Sequence, residues 1–375
     1  MTVSLPEIVT QKRVIDMFKD PNLLGYEYLG DWENRENNSN IEKEEIEKFL
    51  KNKYDSELIK KAIKEIEKIT TNQTKTLYQI NKEVYSLLRY GVKVRLNHES
   101  KPTTVWLIDW ENPKDNHFSI AEEVTIKAAK EKRPDIVLYI NGIALVVLEL
   151  KKSSKSIGNG IRQNIDNQKN IFIKNFFATI QIVMAGNDSE GLQYGVINTP
   201  EKYYLKWKED ITSSAAIVSP MKELLDNRLY QMCQKERLLD IIHNFIVFED
   251  PDKKICRYNQ YFGAKETQQS LRKEEGGILW HTQGSGKSLL MIWLAKWIRE
   301  KRDDSRVLIL TDREELDDQI EGFFSGVDEK IYRTQSGKDM WEKLNEQEHV
   351  FMCSLIHKFR SKDSDDEEYE EMLAN

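Results

Sequence analysis

Asp135, Glu149 and Lys151 are the residues of this chain whose types and spacing best suit chemistry on a phosphodiester. They sit in the stretch RPDIVLYINGIALVVLELKK, with Asp135 opening one apolar run and Glu149 and Lys151 closing the next. In an extended strand, side chains two apart face the same side, so Glu149 and Lys151 converge. Two carboxylates can hold Mg²⁺ through oxygen ligands while water completes its shell. A nearby ammonium stabilises the negative charge that builds as water attacks phosphorus. An acid-x-lysine at a strand end is also what a buried strand running into solvated lysines looks like. The upstream aspartate at hairpin spacing favours the chemical reading.

Register decides whether these groups meet. An ideal two-residue turn at Asn141-Gly142 would pair Ile140 with Ile143, setting Asp135 opposite Leu148 and on the wrong face. The site needs a shift of one residue. A three-residue loop, Ile140-Asn141-Gly142, with Gly142 left-handed in a bulge, would pair Tyr139 with Ile143 and put Asp135 across from Val147, diagonal to Glu149. That bulge, or an equivalent odd loop, is the expectation.

A second constellation lies downstream. HTQGSGKS, His281 to Ser288, follows the apolar run GGILW and precedes LLMIWLAKW, the strand-loop-helix context that a phosphate loop requires. Gly284 and Gly286 let backbone N–H groups turn toward phosphate oxygens, Lys287 supplies a point charge and Ser288 a hydroxyl for Mg²⁺. Thr282 and Ser285 complete the expected ATP-binding set. His281 stands where the full pattern has glycine, so the match is to the shorter form found in helicase-type ATPases.

The elements that must position these residues follow from periodicity. Residues 1 to 90 read as mostly helical, with Ile41, Ile46, Phe49, Leu50, Ile59, Ile63 and Ile66 at roughly helical spacing on a solvated helix pair. Strands are expected at Val92 to Leu96, Thr104 to Asp109, Ile136 to Ile140, Ile143 to Leu150, Thr179 to Ala185, Leu192 to Ile197 and Tyr203 to Trp207. A helix should lie between Leu150 and Thr179. After Asp250 the pattern alternates: strand Gly277 to Trp280, helix Lys287 to about Lys301, strand Arg306 to Leu310 and helix from Glu314. Such alternation implies a parallel sheet with crossover helices.

Composition bounds the rest. The 375 residues exceed one ordinary core, and 39% hydrophobic content suffices for packed domains. No run approaches the roughly 20 apolar residues that span a bilayer, and no secretory signal opens the chain, so a cytoplasmic location is expected. Cys233, Cys256 and Cys353 are widely spaced and read as reduced bystanders. The formal charge of -7 is concentrated in Ser361 to Asn375, with seven acids against one lysine, and neither supports nor excludes a nucleic-acid partner.

Together, these residues resemble the R subunit of type I restriction enzymes, in which a PD-(D/E)xK nuclease precedes a superfamily 2 translocase. The resemblance rests on RPDIVLYINGIALVVLELKK, YNQYFGAKET, ILWHTQGSGKS and LTDREELDDQ in that order. It implies an α/β chain: a nuclease domain with a mixed sheet flanked by helices over 1–220, a helical connector over 221–250, and an incomplete RecA-like helicase domain with a parallel sheet over 251–375. It implies that Asp135 and Glu149 bind the catalytic metal, that Lys151 assists the attacking water, and that Gln260 lies near the adenine. Gln163 resembles the glutamine that follows the lysine in these nucleases, usually as Gln-x-x-x-Tyr, but Asn167 stands at the tyrosine position. Glu7 is either a further acid from an N-terminal helix or an ordinary helix-start acid. Asp312, Arg313 and Asp317 match the next helicase motif, and Lys152 and Lys155 are candidate phosphate contacts.

The implied activity is Mg²⁺-dependent cleavage of double-stranded DNA coupled to ATP-driven translocation, alongside methyltransferase and specificity subunits. Neither the acidic strand-end motif nor the second motor lobe is visible before Asn375, so the chain reads as an N-terminal fragment. Two other classes remain: a catalytically silent module that binds DNA or nucleotide, and a stand-alone repair helicase-nuclease.

Overall fold

In a computed structural model, the protein is described over residues 7–97, 100–302, 304–313, 320–322, 324, 329–346 and 351–356. The chain divides into two compact units. The first runs to Ile246 and takes in Pro251–Asn259; the second comprises Val247–Asp250 and the residues from Gln260 onward.

The first unit opens with α1 (Glu7–Lys19), β1 (Glu27–Asp31), α2 (Lys43–Leu50), α3 (Ser56–Thr70) and α4 (Leu77–Tyr90). The spacing of apolar residues in α2 and α3 works as expected: Ile46, Leu50, Ile59, Ile63 and Ile66 are buried, while charged side chains face outward. Thr76 and Gln79 cap α4 reciprocally, satisfying two donors that the first turn leaves free. A small ribbon follows, β2 (Val92–Val94) with β3 (Thr103–Val105).

The main sheet is built from β1 with β4 (Phe118–Glu122), β5 (Ile136–Ile140), β6 (Ile143–Leu150), β7 (Ile182–Asn187), β8 (Gly191–Gly195) and β9 (Leu205–Lys206), in the order β1-β4-β5-β6-β7-β8-β9. It is mixed: β1 runs parallel to β4 and β6 to β7, and the remaining neighbours are antiparallel. All eight residues of β6, IALVVLEL, are buried. An uninterrupted apolar run suits a strand covered on both faces, and the single acid in it, Glu149, is thereby forced inside. The parallel step from β6 to β7 is made by α5 (Gly158–Asn167), which packs on both strands.

Helices α6 (Leu224–Met232) and α7 (Lys235–Asn244) belong to this first unit, and α6 lies on β8. The division between units falls along β10 (Ile246–Glu249), β11 (Asp252–Ile255) and the start of α8 (Tyr258–Arg272). Lys253 of β11 is fully buried, yet its ammonium donates to Asn81 Oδ1 at 2.8 Å and Gln181 Oε1 at 2.7 Å, tying this segment to α4 and the sheet.

The second unit holds α8, α9 (Lys287–Lys301), β12 (Val307–Thr311), β13 (Tyr332–Arg333), α10 (Gly337–Asn345) and β14 (Phe351–Leu355). Its three strands form a parallel sheet in the order β12-β14-β13. The expected strand Gly277 to Trp280 is not formed: the segment joins no ladder, and Ile278 and Trp280 are 93% and 89% exposed. An apolar run becomes a strand only where a neighbouring ladder and a covered face stabilise it, and among the described residues this one has neither. Asp317, the helix expected from Glu314 and the acidic segment from Ser361 lie outside the described residues. The three cysteines are buried and form no disulfide with one another among the described residues.

Candidate active site

The hairpin of β5 and β6 corrects the expected turn and keeps the expected consequence. Asn141 (φ 51) and Gly142 (φ 81) are both left-handed, forming a tight two-residue turn that pairs Ile140 with Ile143 and Tyr139 with Ala144. The turn is fixed from outside. Asn141 Oδ1 accepts from the His117 amide, and its Nδ2 donates to the Leu107 carbonyl and to Asn116 Oδ1. A side chain on Gly142 would lie 2.6 Å from the Glu42 carbonyl. With no slack in the loop, the odd residue is taken up inside β6. The register slips there, so that Leu138 pairs with Val146, Val137 with Val147 and Ile136 with Leu148. Continuing that register sets Asp135 opposite Glu149, rather than across from Val147 as the three-residue loop would have done.

Side-chain contacts agree with that placement. The Leu150 amide donates to Asp135 Oδ2 at 2.6 Å, and Lys151 Nζ lies 3.5 Å from the same oxygen. Lys151 also donates to the Leu150 carbonyl and, at 3.2 Å, to Glu7 Oε1, so the first residue of α1 reaches the cluster. Asn167 Nδ2 lies 3.4 Å from Glu149 Oε1, a long contact, whereas Glu149 Oε2 is buried and accepts no hydrogen bond among the described residues. The structure therefore brings together Asp135, Glu149, Lys151, Glu7 and Asn167. Gln163, half-buried on the same helix, makes no hydrogen bond to Asp135, Glu149 or Lys151 among the described residues.

Burial dominates the electrostatics. It pushes the Glu149 carboxyl well above its ordinary value, and the adjacent Asp135 pushes it further. Asp135 is also raised by burial, with Lys151 and the Leu150 amide pulling the other way. Burial opposes charge on Lys151, but Asp135, Glu149 and Glu7 outweigh it and hold the ammonium above its ordinary value. Two acids so close and so dry carry full charge only beside more positive charge than one ammonium provides. Among the described residues, no group of three or more His, Cys, Asp or Glu side chains is placed to hold a metal. The donor set, two carboxylates with one oxygen unsatisfied, fits a hard divalent ion that keeps several of its waters.

Residues beyond the motif hold the cluster in place. Gly160 of α5 faces it closely: a methyl group there would lie 3.2 Å from Ala185 Cβ and 3.5 Å from both Glu149 Cβ and Lys151 Cγ. Glu123, left-handed at φ 50, donates its amide to the Asp135 carbonyl. Its carboxylate is shared by Gln11 of α1 at 2.9 Å and Arg133 at 2.7 Å. Arg13 anchors α1 through Asp188, beyond β7, and Asp226 of α6, the latter at 2.6 Å. Thr10 adds a bond to Asp188 at 3.1 Å. These partners are distant in sequence, so no local pattern marks them; beyond the motif, the sequence signalled only Glu7 at the start of α1 and Asn167 in the Gln-x-x-x-Tyr spacing.

In the second unit the phosphate loop leads directly into α9. Gly284 (φ 75) and Gly286 (φ 82) are left-handed, and Gly286 is the N-cap. Lys287 Nζ folds back on the carbonyls of His281 at 3.1 Å and Thr282 at 3.2 Å. Thr282 and Gly284 are exposed, Ser288 is half-exposed, and Ser285 is buried. Gln260 of α8 is buried and donates to the Gly286 carbonyl at 2.9 Å, so it braces the loop. Asp312 and Arg313 are exposed and lie 3.6 Å apart.

The family model described as "Type I restriction enzyme R protein N terminus (HSDR_N)" matches residues 5–202. The chain belongs to that family. The match contains every member of the acid and lysine cluster. A second model, SWI2/SNF2 ATPase, matches residues 259–374, which include Gln260 and the phosphate loop. Relatives of the R protein family include the type I restriction enzyme HindI endonuclease subunit of Haemophilus influenzae, 31% identical over 71% of this chain and 26% of that protein. A Staphylococcus aureus relative, type I restriction enzyme SauMSSORF170P endonuclease subunit, is 24% identical over 72% of this chain and 29% of that protein. The chain thus spans about a quarter to a third of the length of the relatives it matches.

Proposed function

We propose that this chain is part of the restriction subunit of a type I restriction-modification system, and that its first unit cleaves double-stranded DNA by hydrolysing a phosphodiester. The supporting observation is the placement of Asp135 opposite Glu149, both buried, with Lys151 within 3.5 Å of Asp135. In this reading residues 1–220 are the nuclease domain, 221–250 a connector whose helices α6 and α7 belong to the first unit and which ends in β10, and 251–375 the start of a RecA-like motor that binds ATP through Gly284 to Ser288. By this reading the chain would assemble with methyltransferase and specificity subunits and reside in the cytoplasm. Among the described residues, no helix is long and apolar enough to cross a membrane.

Asp135 and Glu149 would hold Mg²⁺, and a bound ion of that kind supplies Lewis acidity at the scissile phosphate. Lys151, kept protonated by the surrounding acids, holds the attacking water and stabilises charge developing on phosphate oxygens. Glu7 and the Leu150 carbonyl fix the ammonium so that it needs no reorganisation during attack. Among the described residues Gln163 makes no contact that supports a direct role, and Asn167 orients Glu149.

The test uses the subunit assembled with its partners. Glu149→Ala and Lys151→Ala should each lower the cleavage rate at least about 100-fold while ATP hydrolysis persists. Undiminished cutting by both variants would sink the assignment.

A further inference from the structure

Two loops near the cluster form a feature that the hydrolytic chemistry does not use. Segments 126–133 and 169–175 are joined where the Lys130 amide donates to the Ile171 carbonyl at 3.0 Å. Beside this junction lies a groove of about 480 Å³ whose lining includes Lys127, Asn170, Phe172, Lys174 and Asn175.

Its charge is one-sided. Lys127 and Lys130 are exposed and have no carboxylate partner among the described residues. Lys132 sits over the Phe172 ring at 4.1 Å, and Lys174, which lines the groove, donates to the Lys75 carbonyl at 3.1 Å. The acids nearby are few or already engaged. Glu131 is exposed on the same loop, Asp166 is paired with Lys169, and Glu33 and Glu123 hold Arg133.

The two segments that line the groove each lead into the cluster. One loop runs through Arg133 and Pro134 into Asp135. On the other, the Ile173 amide donates to the carbonyl of Asn167, whose side chain reaches Glu149. Ile126 and Ile173 belong to the same buried cluster as Val147 and Ala185, which flank Glu149 in the sheet.

We propose that this groove is a track for the phosphate backbone of duplex DNA leading toward Asp135, Glu149 and Lys151, with Lys127 in its lining and Lys130, exposed on the same loop, as direct phosphate contacts. The proposal rests on the nuclease reading above. Lysines and amides in such an arrangement recognise phosphate without reading sequence.

The experiment compares the full 375-residue chain with its Lys127→Glu/Lys130→Glu variant, measuring binding of short fluorescent duplexes of unrelated sequence by anisotropy across a salt series. The variant should bind each duplex about tenfold or more weakly at low salt, and the slope of log K against log salt should flatten by about 1.8, or 0.9 per lost phosphate contact. An unchanged melting temperature confirms that the variant is folded, and Lys127→Gln/Lys130→Gln should fall between. Equal affinity and equal slope in wild type and variant overturn the track. So does a groove that takes up polyglutamate but not duplex, which would mark it as a protein-docking surface. Cleavage retained by the Glu149→Ala subunit would instead sink the nuclease reading, so the two failures are distinguishable.

Discussion

The acid and lysine cluster and the phosphate loop both handle phosphate charge, yet they are built in opposite ways. Glu149 is fully buried at the end of a central strand and depends on residues from α1, β5, β6 and α5. The phosphate loop is a contiguous turn, mostly exposed, whose shape comes from two left-handed glycines and the start of one helix. One site needs the whole first unit to be folded before its charges meet. The other carries its geometry in about eight consecutive residues, braced from outside by Gln260. A site assembled from distant strands can hold charges in a dry, strained arrangement, whereas a local loop must leave its charges accessible.

The sharpest way to break that contrast is to disable the local site. Lys287→Ala should weaken binding of an ATP analogue to this chain about 100-fold, the loss of a charged hydrogen bond. It should leave divalent-ion binding at the acid cluster unchanged, both read by calorimetry. Coupled losses would show that the two sites are not separately built. A smaller effect should come from the scaffold of the first. Arg13→Ala strands Asp226, whose side chain is only 5% exposed, and should cost about 2 kcal/mol of stability, measured by denaturant unfolding.

The contrast also predicts how the sites respond to pH. Because burial and Asp135 raise the Glu149 carboxyl, the folded state holds its proton more tightly than the unfolded state. Glu149 therefore costs no stability well below its ordinary value of 4.5, and progressively more as pH rises above it toward the raised folded value. Glu149→Gln should melt higher than wild type at neutral pH, with the gap closing in acid. A divalent ion, which needs the ionised form, should stabilise the wild type most at the alkaline end. A pH-independent difference between the two proteins would count against the buried-charge account.

The same contrast explains what could be read from the sequence. The phosphate loop, the boundaries of α9 and the strands Ile136–Ile140 and Ile143–Leu150 were legible because each is decided by consecutive residues. The amphipathic spacing in α2 and α3 was legible for the same reason. Strands β1 and β4 were not. EYLGD and FSIAE carry charges at their ends, and what makes them strands is pairing across some 90 residues, Glu27 with Ser119. The offset in β6 was foreseen in kind but placed in the loop, because the bonds that fix Asn141 come from residues 107, 116 and 117. Gln163 drew attention by its position, whereas the neighbour of Glu149 is Asn167, one helical turn further on. Conversely, Gly277 to Trp280 looked like a strand from its own residues and found no ladder.

Arg13 shows where this matters outside the laboratory. A single guanidinium rivets the helix that carries Glu7 to two otherwise unrelated parts of the unit. A natural variant lacking it would still possess each signature residue, and a genome survey that scores such signatures would pass it as competent. Its defect would lie in the alignment of an intact toolkit.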